Sequence, residues 1–240
     1  MNMRSDELIH QVRDIPLFQG IPEPDLAQIL QAGRTKALLS GEFCFFQGDP
    51  ADRIYILLQG RIRLTKSNPG EPAILMRIIT PFTVFGAIAL AQNETYPISA
   101  QAEADCRSIF WDKSEMKESM NRVPQLALNV MTILADHMQE FAERYQQMAT
   151  ERVERRLART LVRLAHQAGK KTREGILIDL NITRQDLAEM TGTTLYTVSR
   201  TLSQWESQGL VICGRERVVL RYPHGLVCIA EDLPSGSRNE

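Results

Sequence analysis

The spacing of hydrophobic residues changes along the chain, and each change predicts a different kind of structure. Residues 5–32 read as short helices that three prolines interrupt, because proline ends or kinks a helix. From about Thr35 to Asp112, short runs rich in β-branched and aromatic residues are separated by Gly, Pro, Asn and Asp. Many short strands at close spacing are typical of an antiparallel sandwich or barrel. We therefore predict a small helical segment followed by a β-domain.

From Pro124 onward, hydrophobic residues recur at alternating steps of four and three, which is the heptad spacing of a coiled coil. The steps are unbroken over about three heptads, and they predict one long helix with a continuous apolar stripe. This stripe either faces a partner helix or packs on the β-domain of its own chain, and the strict spacing favours the partner helix. The predicted seam consists of Ala127, Met131, Leu134, Met138, Phe141, Tyr145 and Met148.

Two short helices in close succession are predicted within residues 182–211. Thr183 lies three residues before Asp186 and provides a capping-box-like start, and Gly192 can end the first helix. Thr194 is a second candidate N-cap, and the helix after it has an apolar back and a polar front. Such a pair has the geometry that places a helix in the DNA major groove, although an ordinary helical hairpin gives the same pattern.

The residues around this helix pair complete a small domain. Residues 156–166 read as an amphipathic helix whose outward arginines can be a merely solvated face, and residues 169–175 read as a basic loop. Residues 176–180 predict a short strand that leads into the helix pair. Two apolar runs, residues 211–213 and 218–220, flank a glycine-containing turn, as in the wing of a winged helix.

The run ITRQDLA, followed by Gly192, TVSR and the Gly209-Leu210-Val211 entry into the hairpin, resembles the DNA-binding signature of the CRP/FNR superfamily of bacterial transcription regulators. The resemblance extends to the β-domain, where Gly41-Glu42, Gly48-Asp49 and Tyr55-Ile56-Leu57 are similar to the cyclic-nucleotide-binding jelly roll. It implies an α+β chain with a cyclic-nucleotide-binding-like β jelly roll, a long dimerisation helix and a C-terminal winged helix-turn-helix.

The same resemblance implies domains and partners. Residues 1–122 would form the sensor domain, 123–150 the dimerisation helix, 151–230 the DNA-binding domain and 231–240 a tail. We expect a homodimer that binds double-stranded DNA at a two-fold symmetric site and contacts RNA polymerase. An enzyme and a non-DNA-binding adaptor are the competing functions. The sequence contains no P-loop, HExxH or GxSxG motif, and an adaptor needs no polar recognition face.

The cassette that holds the cyclic phosphate in cyclic-nucleotide-binding relatives is altered in this chain. In those relatives a Glu accepts a hydrogen bond from the ribose hydroxyl, and an Arg neutralises the charge of the phosphate. Gly86, Ser99 and Ala100 match the pattern, but Ala87 and Ile98 stand where the Glu and the Arg are expected. A phosphate without a cationic partner in a partly dry pocket loses roughly several kcal/mol. We therefore expect no conventional cyclic-nucleotide site and a preference for apolar or uncharged ligands. The candidate effector pocket comprises Phe85, Gly86, Ala87, Ile98 and Ser99.

Other effectors of the superfamily are further alternatives. An iron–sulfur cluster is excluded because the first cysteine is Cys44 and no N-terminal cysteine cluster is present. Haem stays open as a cofactor by family analogy, since Met76, His137 or His10 could supply an axial ligand, although His137 is better explained as a packing or hydrogen-bonding residue. A regulator without an effector is a third alternative. The four cysteines lack zinc-ligand spacing and read as buried free thiols.

Charge is distributed unevenly along the chain, although the formal net charge is −1. Residues 1–150 carry 14 Lys and Arg against 18 Asp and Glu, whereas residues 151–223 carry 13 against 8. A positive C-terminal region suits a module that approaches the phosphate backbone of DNA. The sequence contains no apolar run of membrane-spanning length and no signal peptide, so we expect a soluble, cytoplasmic protein.

Alignment with the superfamily assigns the DNA contacts within the second helix of the pair. Members commonly carry Glu at the position of Tyr196, where it accepts from a cytosine amino group, and Arg at the position of Arg200, where it donates to guanine. We expect the guanine contact to survive and the preference at a neighbouring base pair to change. The predicted base-reading residues are Leu195, Tyr196, Ser199 and Arg200. The predicted phosphate-binding residues are Thr183, Arg184, Gln185, Thr194 and Thr197.

Overall fold

The computed structural model describes residues 5–67, 73–91 and 94–233, without the side chains of residues 5–7, 144 and 147–149. The chain forms two compact units, Met1–Phe141 and Ala142–Glu240. No helix within the described part of the chain is long and apolar enough to cross a membrane.

A short helical segment precedes the β-domain, as the prolines predict. It contains α1 (Ser5–Val12), a 3-10 turn (Pro16–Phe18) and α2 (Glu23–Ala32). Proline begins the 3-10 turn and stands in the first turn of α2, where its missing N–H costs no helical hydrogen bond. The prolines therefore start these short elements as well as separating them.

Eight short strands form the predicted jelly roll. Their bounds are β1 (Arg34–Leu38), β2 (Phe43–Phe45), β3 (Arg53–Gln59), β4 (Ile62–Lys66), β5 (Ile74–Ile79), β6 (Val84–Phe85), β7 (Ser99–Ala102) and β8 (Cys106–Asp112). They pair in two four-stranded antiparallel sheets, in the orders β1-β8-β3-β6 and β2-β7-β4-β5. The β-rich pattern predicted from about Thr35 to Asp112 is confirmed.

Alternation along β3 divides the first unit into two apolar cores. Tyr55 and Leu57 belong to the core that contains the inward side chains of both sheets. Ile54 and Ile56 face the opposite way and belong to a second core, which the helical elements cover. Trp111 is fully buried in this second core, and its Nε1 donates to the carbonyl oxygen of Ile29 at 2.7 Å. This hydrogen bond fixes α2 to β8.

Two helices follow the jelly roll: α3 (Lys113–Arg122) and α4 (Pro124–Thr150). Helix α3 was not predicted, although Asp112 and Glu115 form a complete capping box at its start. The start of α4 at Pro124 is as predicted. One side of α4 packs on the rest of the first unit through Leu126, Val130 and Ile133, which are buried in the second core.

The second unit combines four helices with a small sheet. Its helices are α5 (Val153–Ala168), α6 (Arg184–Thr191), α7 (Leu195–Ser207) and α8 (Pro223–Glu231). Its strands are β9 (Gly169–Thr172), β10 (Gly175–Ile178), β11 (Val211–Gly214) and β12 (Arg217–Leu220), in the order β11-β12-β10-β9. The predicted wing hairpin corresponds to β11 and β12. Helix α8 was not predicted, and residues 234–240 of the predicted tail lie outside the described residues.

Two predictions about this unit are wrong. The predicted basic loop, residues 169–175, is largely strand β9, which pairs with β10 through a two-residue turn. Lysine and glycine are poor strand formers, but β9 is an edge strand, where lysine is common and backbone pairing decides the structure. The arginines of α5 are also more than a solvated face. Arg159 donates to the carbonyl oxygen of Ala230 at 2.7 Å and pairs with Glu231 at 3.1 Å, which fastens α5 to α8.

Candidate nucleic-acid interface and effector cassette

Helix α6 begins with the capping box that the sequence predicts. The hydroxyl of Thr183 accepts from the backbone N–H of Asp186 at 3.0 Å, and one carboxylate oxygen of Asp186 accepts from the Thr183 backbone N–H at 2.8 Å. Asp186 is buried, and Leu187 and Ala188 beside it form the apolar side of the helix. The capping box therefore fixes the start of α6 while its apolar side packs inward.

The turn between α6 and α7 depends on one glycine and one arginine. Gly192 ends α6 at φ 61°, in the left-handed region that glycine adopts without strain. The Arg156 guanidinium of α5 donates to the carbonyl oxygens of Thr191 at 2.9 Å and Gly192 at 3.4 Å. These carbonyls would otherwise lack helical partners, so Arg156 both completes the C-terminus of α6 and holds it against α5.

Helix α7 has two unlike sides. Val198, Leu202 and Trp205 are buried on its back, as the helical spacing predicts. Thr194 caps its N-terminus, with its hydroxyl accepting from the Thr197 backbone N–H at 3.2 Å. At the other end, the Glu206 carboxylate accepts from the backbone N–H of Cys213 in β11 at 2.9 Å. The helix is thus held at its start, along its back and near its end, which leaves its front available.

The predicted base-reading residues lie together on this front. Leu195 is 47% exposed and Tyr196 is 75% exposed. Arg200 is exposed one helical turn further on, and Ser199 is half-buried beside it. The structure brings all four onto one surface of a short helix. Their role in reading bases stays a prediction.

The predicted phosphate-binding residues divide into two kinds. The hydroxyls of Thr183 and Thr194 serve as helix caps, and the Thr197 hydroxyl lies 2.9 Å from that of Thr194. Arg184 and Gln185 instead extend into solvent from the first turn of α6, although the Gln185 amide also donates to Glu189 at 2.9 Å. The threonines are therefore suited to holding the helix ends that face a phosphate, and Arg184 to neutralising its charge.

One candidate DNA contact was missed by the sequence analysis. Arg215 is exposed in the two-residue turn between β11 and β12, at the tip of the wing. Its neighbour Arg217 pairs with Glu174 at 3.2 Å, but Arg215 has no ion-pair partner among the described residues. The sequence pattern that could have indicated this contact is a positively charged residue in the predicted turn of the wing.

The candidate effector cassette is tied into the jelly-roll core. Phe85 is buried and stacks on Tyr55 with ring centroids 5.0 Å apart, and Ile98 packs against the same core. The Ser99 hydroxyl accepts from the backbone N–H of Gln47 at 2.9 Å. Gly86 has φ 75°, and a Cβ there would lie 3.0 Å from the carbonyl oxygen of Arg53, so the backbone requires glycine. Ala87 begins the short 3-10 turn after Gly86.

Aromatic rings fill much of the space beside the cassette. Phe45 and Tyr96 stack with centroids 3.7 Å apart. The Tyr96 hydroxyl donates to the carbonyl oxygen of Arg53 at 2.7 Å, and burial raises the pKa of Tyr96 above its usual range. The guanidinium of Arg53 is directed to the Asp112 carboxylate at 3.1 Å. This cation therefore already has an anionic partner.

The candidate haem ligands have other environments. The Nε2 atom of His137 lies 2.9 Å from a guanidinium nitrogen of Arg77. Because a guanidinium can only donate, the imidazole accepts at Nε2 and is neutral. Burial, and then the charge of Arg77, lowers the pKa of His137. His10 and Met76 are exposed. Among the described residues, none of these three positions supports a haem site, and His137 forms the hydrogen bond expected of it.

The predicted seam is largely uncovered within its own chain. Its exposed members are Met131 (65%), Leu134 (40%), Met138 (69%), Phe141 (64%) and Tyr145 (70%). Ala127 is half-buried, and the side chain of Met148 lies outside the described residues. Leu128, which was not predicted as a seam residue, is also exposed. The alternative that the stripe packs on its own β-domain is wrong for the five exposed residues, because Leu126, Val130 and Ile133 occupy that contact instead.

The four cysteines are free thiols, and all but the half-buried Cys213 are buried. Burial raises the pKa of the Cys44 thiol to about 12 and that of the Cys213 thiol to about 11. Such thiols are poor nucleophiles at neutral pH because the reactive thiolate is scarce. The described residues contain no group of three or more His, Cys, Asp or Glu side chains arranged to hold a metal ion.

Two family models match the chain, one in each unit. A cyclic nucleotide-binding domain model matches residues 35–123, and a Crp-like helix-turn-helix domain model matches residues 155–229. The first range contains the jelly roll and the cassette. The second contains α6, α7, most of α5 and α8, and the candidate DNA-reading surface.

Similar proteins align over most of the chain. The chain is 25% identical to the cyclic AMP receptor protein of Thermus thermophilus over 206 residues, which are 86% of this chain and 92% of that protein. It is 27% identical to the nitrogen fixation regulation protein FixK of Azorhizobium caulinodans over 198 residues, 81% of this chain and 79% of that protein. The solved structure of FixK2 from Bradyrhizobium japonicum has the same fold, with a TM-score of 0.71 and 21% identity over 85% of this chain and 98% of that one.

Proposed function

Because the chain belongs to the CRP/FNR superfamily of DNA-binding transcription regulators, we propose that it acts as a homodimer on two-fold symmetric DNA and does not respond to a conventional cyclic nucleotide. Its control then comes from another effector or from protein concentration alone. RNA polymerase is its expected further partner. Its domains keep the boundaries predicted from the sequence: a sensor domain at 1–122, a dimerisation helix at 123–150, a DNA-binding domain at 151–230 and a tail at 231–240.

The uncovered stripe on α4 is the observation that carries the homodimer. Five large side chains are exposed at heptad spacing, while the neighbouring side of the helix is already occupied by the sensor core. Removing a large apolar side chain from water contributes roughly 1.5–3 kcal/mol, and a stripe of this length supports stable pairing with an identical helix. A second copy of the chain provides the same spacing, as a two-fold interface requires.

Two-fold symmetry of the protein carries over to its target. A dimer with one α7 from each chain binds two half-sites about one helical turn apart, in inverted orientation. In each half-site, Arg200 donates to guanine. Leu195 and Tyr196 offer apolar surface, which suits contact with a thymine methyl group. The half-site preference should therefore differ from that of regulators with Glu at the position of Tyr196.

The altered cassette supports control without a conventional cyclic nucleotide. Ala87 and Ile98 provide neither the ribose acceptor nor the phosphate cation, and the Ser99 hydroxyl is used within the protein. The relative named for cyclic AMP shares the fold of this domain, and fold alone does not supply those two groups. Phe85, Gly86, Ala87, Ile98 and Ser99 remain our candidates for a pocket that takes an apolar or uncharged ligand.

Two measurements test this function. A mobility-shift assay against genomic fragments, followed by selection from random DNA, should return a palindromic site, and a non-palindromic site would contradict the homodimer on symmetric DNA. Calorimetry with cyclic AMP and cyclic GMP should show weak binding or none, whereas micromolar affinity would overturn the reading of the cassette. Absorption spectra and native mass spectrometry of freshly purified protein would reveal a retained effector directly.

A further inference from the structure

A cleft of about 250 Å³ lies between β5, the loop before β6 and the packed side of α4. Its apolar lining includes Phe82, Val84 and Ile133. None of the five candidate cassette residues lines it, so it is distinct from the predicted effector pocket. Sites for drug-sized ligands are typically about 300–1,000 Å³, so an occupant of this cleft must be small.

The lining of the cleft contains two carboxylates, Asp136 and Glu140, and one cationic side chain, Arg77. Arg77 contacts His137 at 2.9 Å and Glu140 at 3.9 Å, so its cation already has an acceptor and an anion. Asp136 lines the same cleft at its solvent-exposed edge, one helical turn before Glu140, and has no ion-pair partner among the described residues. Because His137 is neutral, the four groups sum to one negative charge.

An exposed aromatic ring lines the same cleft at a strained position. Phe82 follows Pro81 in a tight turn and has φ 66°, a left-handed conformation that favours glycine and is an outlier for a bulky residue. Its ring is 37% exposed. Glycine would form this turn without strain, so the turn itself does not require the ring. Strained backbone positions cluster at active sites, ligand clamps and switch regions, so Phe82 marks this cleft as a candidate binding site.

We propose that this cleft binds a small organic amine with an apolar body. The ammonium group would lie against the Asp136 carboxylate and the face of the Phe82 ring, and the body against Val84 and Ile133. Carboxylates bind ammonium groups through charge-assisted hydrogen bonds, and aromatic faces attract cations. An anion would instead have to displace Glu140 or His137 from Arg77, and a neutral ligand would leave the charge of Asp136 unused.

Binding at this cleft would act on the helix that carries the seam. Ile133 and Asp136 lie on α4 next to the exposed seam residues Leu134 and Met138. An amine held there would therefore alter the position or rigidity of the dimer helix. This consequence rests on the proposed homodimer, whereas amine binding itself does not.

Calorimetry with three matched probes tests the ligand class. We use 2-phenylethylamine, 2-phenylethanol and phenylacetate, which share one ring and differ in charge. The amine should bind at least about tenfold more tightly than either of the others, a difference of about 1.4 kcal/mol. Equal binding of the three, preference for phenylacetate, or no binding of the amine would overturn the proposal.

Two variants assign the binding to the cleft. Asp136→Asn should weaken amine binding about tenfold or more, whereas the charge-matched control Glu118→Gln, on the exposed side of α3, should leave it unchanged. Phe82→Gly should also weaken binding while the melting temperature stays equal or rises, because the strain is relieved. A lowered melting temperature would show that the ring is structural, and unaltered amine affinity in Asp136→Asn would place the amine elsewhere. Dimerisation and DNA binding, measured without amine, test the proposed function separately.

Discussion

Helices α4 and α7 both expose large apolar side chains, and the surroundings of these side chains differ. On α4 the exposed residues Met131, Leu134, Met138 and Phe141 follow one another at heptad spacing. On the front of α7, Leu195 and Tyr196 stand alone and are followed by Ser199 and the exposed Arg200. The first surface is an apolar stripe, whereas the second is an apolar pair within a polar and cationic face.

This difference indicates different partners. A stripe of apolar side chains is stabilised by removal from water, which an identical helix achieves along its whole length. An apolar pair beside a guanidinium and hydroxyls suits a groove where methyl groups alternate with hydrogen-bonding base edges. Exposure alone does not distinguish these cases, since Leu134 at 40% and Leu195 at 47% are similarly exposed. The neighbouring side chains distinguish them.

The largest expected effect comes from placing charge in the α4 stripe. Leu134→Asp or Phe141→Asp would bury two like charges between paired helices, at a cost of about 3 kcal/mol or more. Both variants should sediment as monomers, and their affinity for DNA should fall with the loss of the dimer. Thr132→Asp adds the same charge at an exposed position of α4 off the stripe and should stay dimeric. A monomeric unaltered protein, or intact dimers of both variants, would refute the seam.

A smaller but more specific effect is expected on the front of α7. Arg200→Ala removes the proposed guanine contact and should cost about 1–3 kcal/mol in DNA binding. Specificity should be relaxed at one base pair of each half-site, because a bidentate arginine contact discriminates at a single position. Selection from random DNA measures this directly. If the selected motif is unchanged in the variant, Arg200 does not read a base.

The contrast between these surfaces was partly visible in the sequence. Heptad spacing predicted the stripe, and residue types at Thr183, Gly192 and Thr194 predicted the start and end of α6 and the start of α7. These signals are local, since caps and periodicity depend on residues within a few turns of one another. The antiparallel β-domain was predicted for the same reason, from alternating short runs and turn residues.

What the sequence could not reveal depends on distant partners. Three of the four residues of β9 are Gly or Lys, which have low strand propensity, and the strand forms because β10 lies beside it. The role of Arg156 as a cap for α6 joins residues 35 and 36 positions apart. Likewise, the cleft beside α4 brings together Phe82 and His137, which are about 55 residues apart in the chain. Pairings of this kind are set by tertiary packing rather than by local pattern.

Substitutions at Tyr196 test whether the exposed side chains of α7 contact DNA bases. Tyr196→Glu replaces the exposed ring by a carboxylate, which accepts from the amino group of cytosine. We expect the preferred base pair at one position of each half-site to change, with discrimination of about 1–3 kcal/mol. Tyr196→Phe is the control, since it keeps the apolar ring and removes only the hydroxyl. An unchanged motif in the Glu variant would show that this side chain does not reach the bases.

A weaker effect without sequence preference is expected for Arg184. This residue is exposed in the first turn of α6, and it is predicted to contact a phosphate. Arg184→Ala should weaken binding to all DNA sequences alike and reduce the slope of log K against log salt by about one unit. Binding titrations at several salt concentrations measure this slope. Loss of preference at a particular base pair would instead place Arg184 among the base-reading residues.

The smallest expected effect is a loss of stability at low pH that comes from His137, which lies on the packed side of α4 and not in its stripe. Burial and Arg77 lower the pKa of His137 below its ordinary value of 6.5 in the folded protein. As pH falls below about 6.5, the unfolded chain takes up this proton first, so the free energy of unfolding decreases until the folded pKa is passed.

His137→Gln keeps an acceptor for Arg77 and should remove this part of the acid sensitivity. Urea unfolding at one protein concentration, at pH 7.5 and at pH 5.5, compares the two proteins. An equal loss of stability in both would exclude His137. At pH 7.5, where His137 is neutral, His137→Gln should keep the dimer fraction of the unaltered protein in sedimentation, because His137 contacts Arg77 and is not a residue of the stripe.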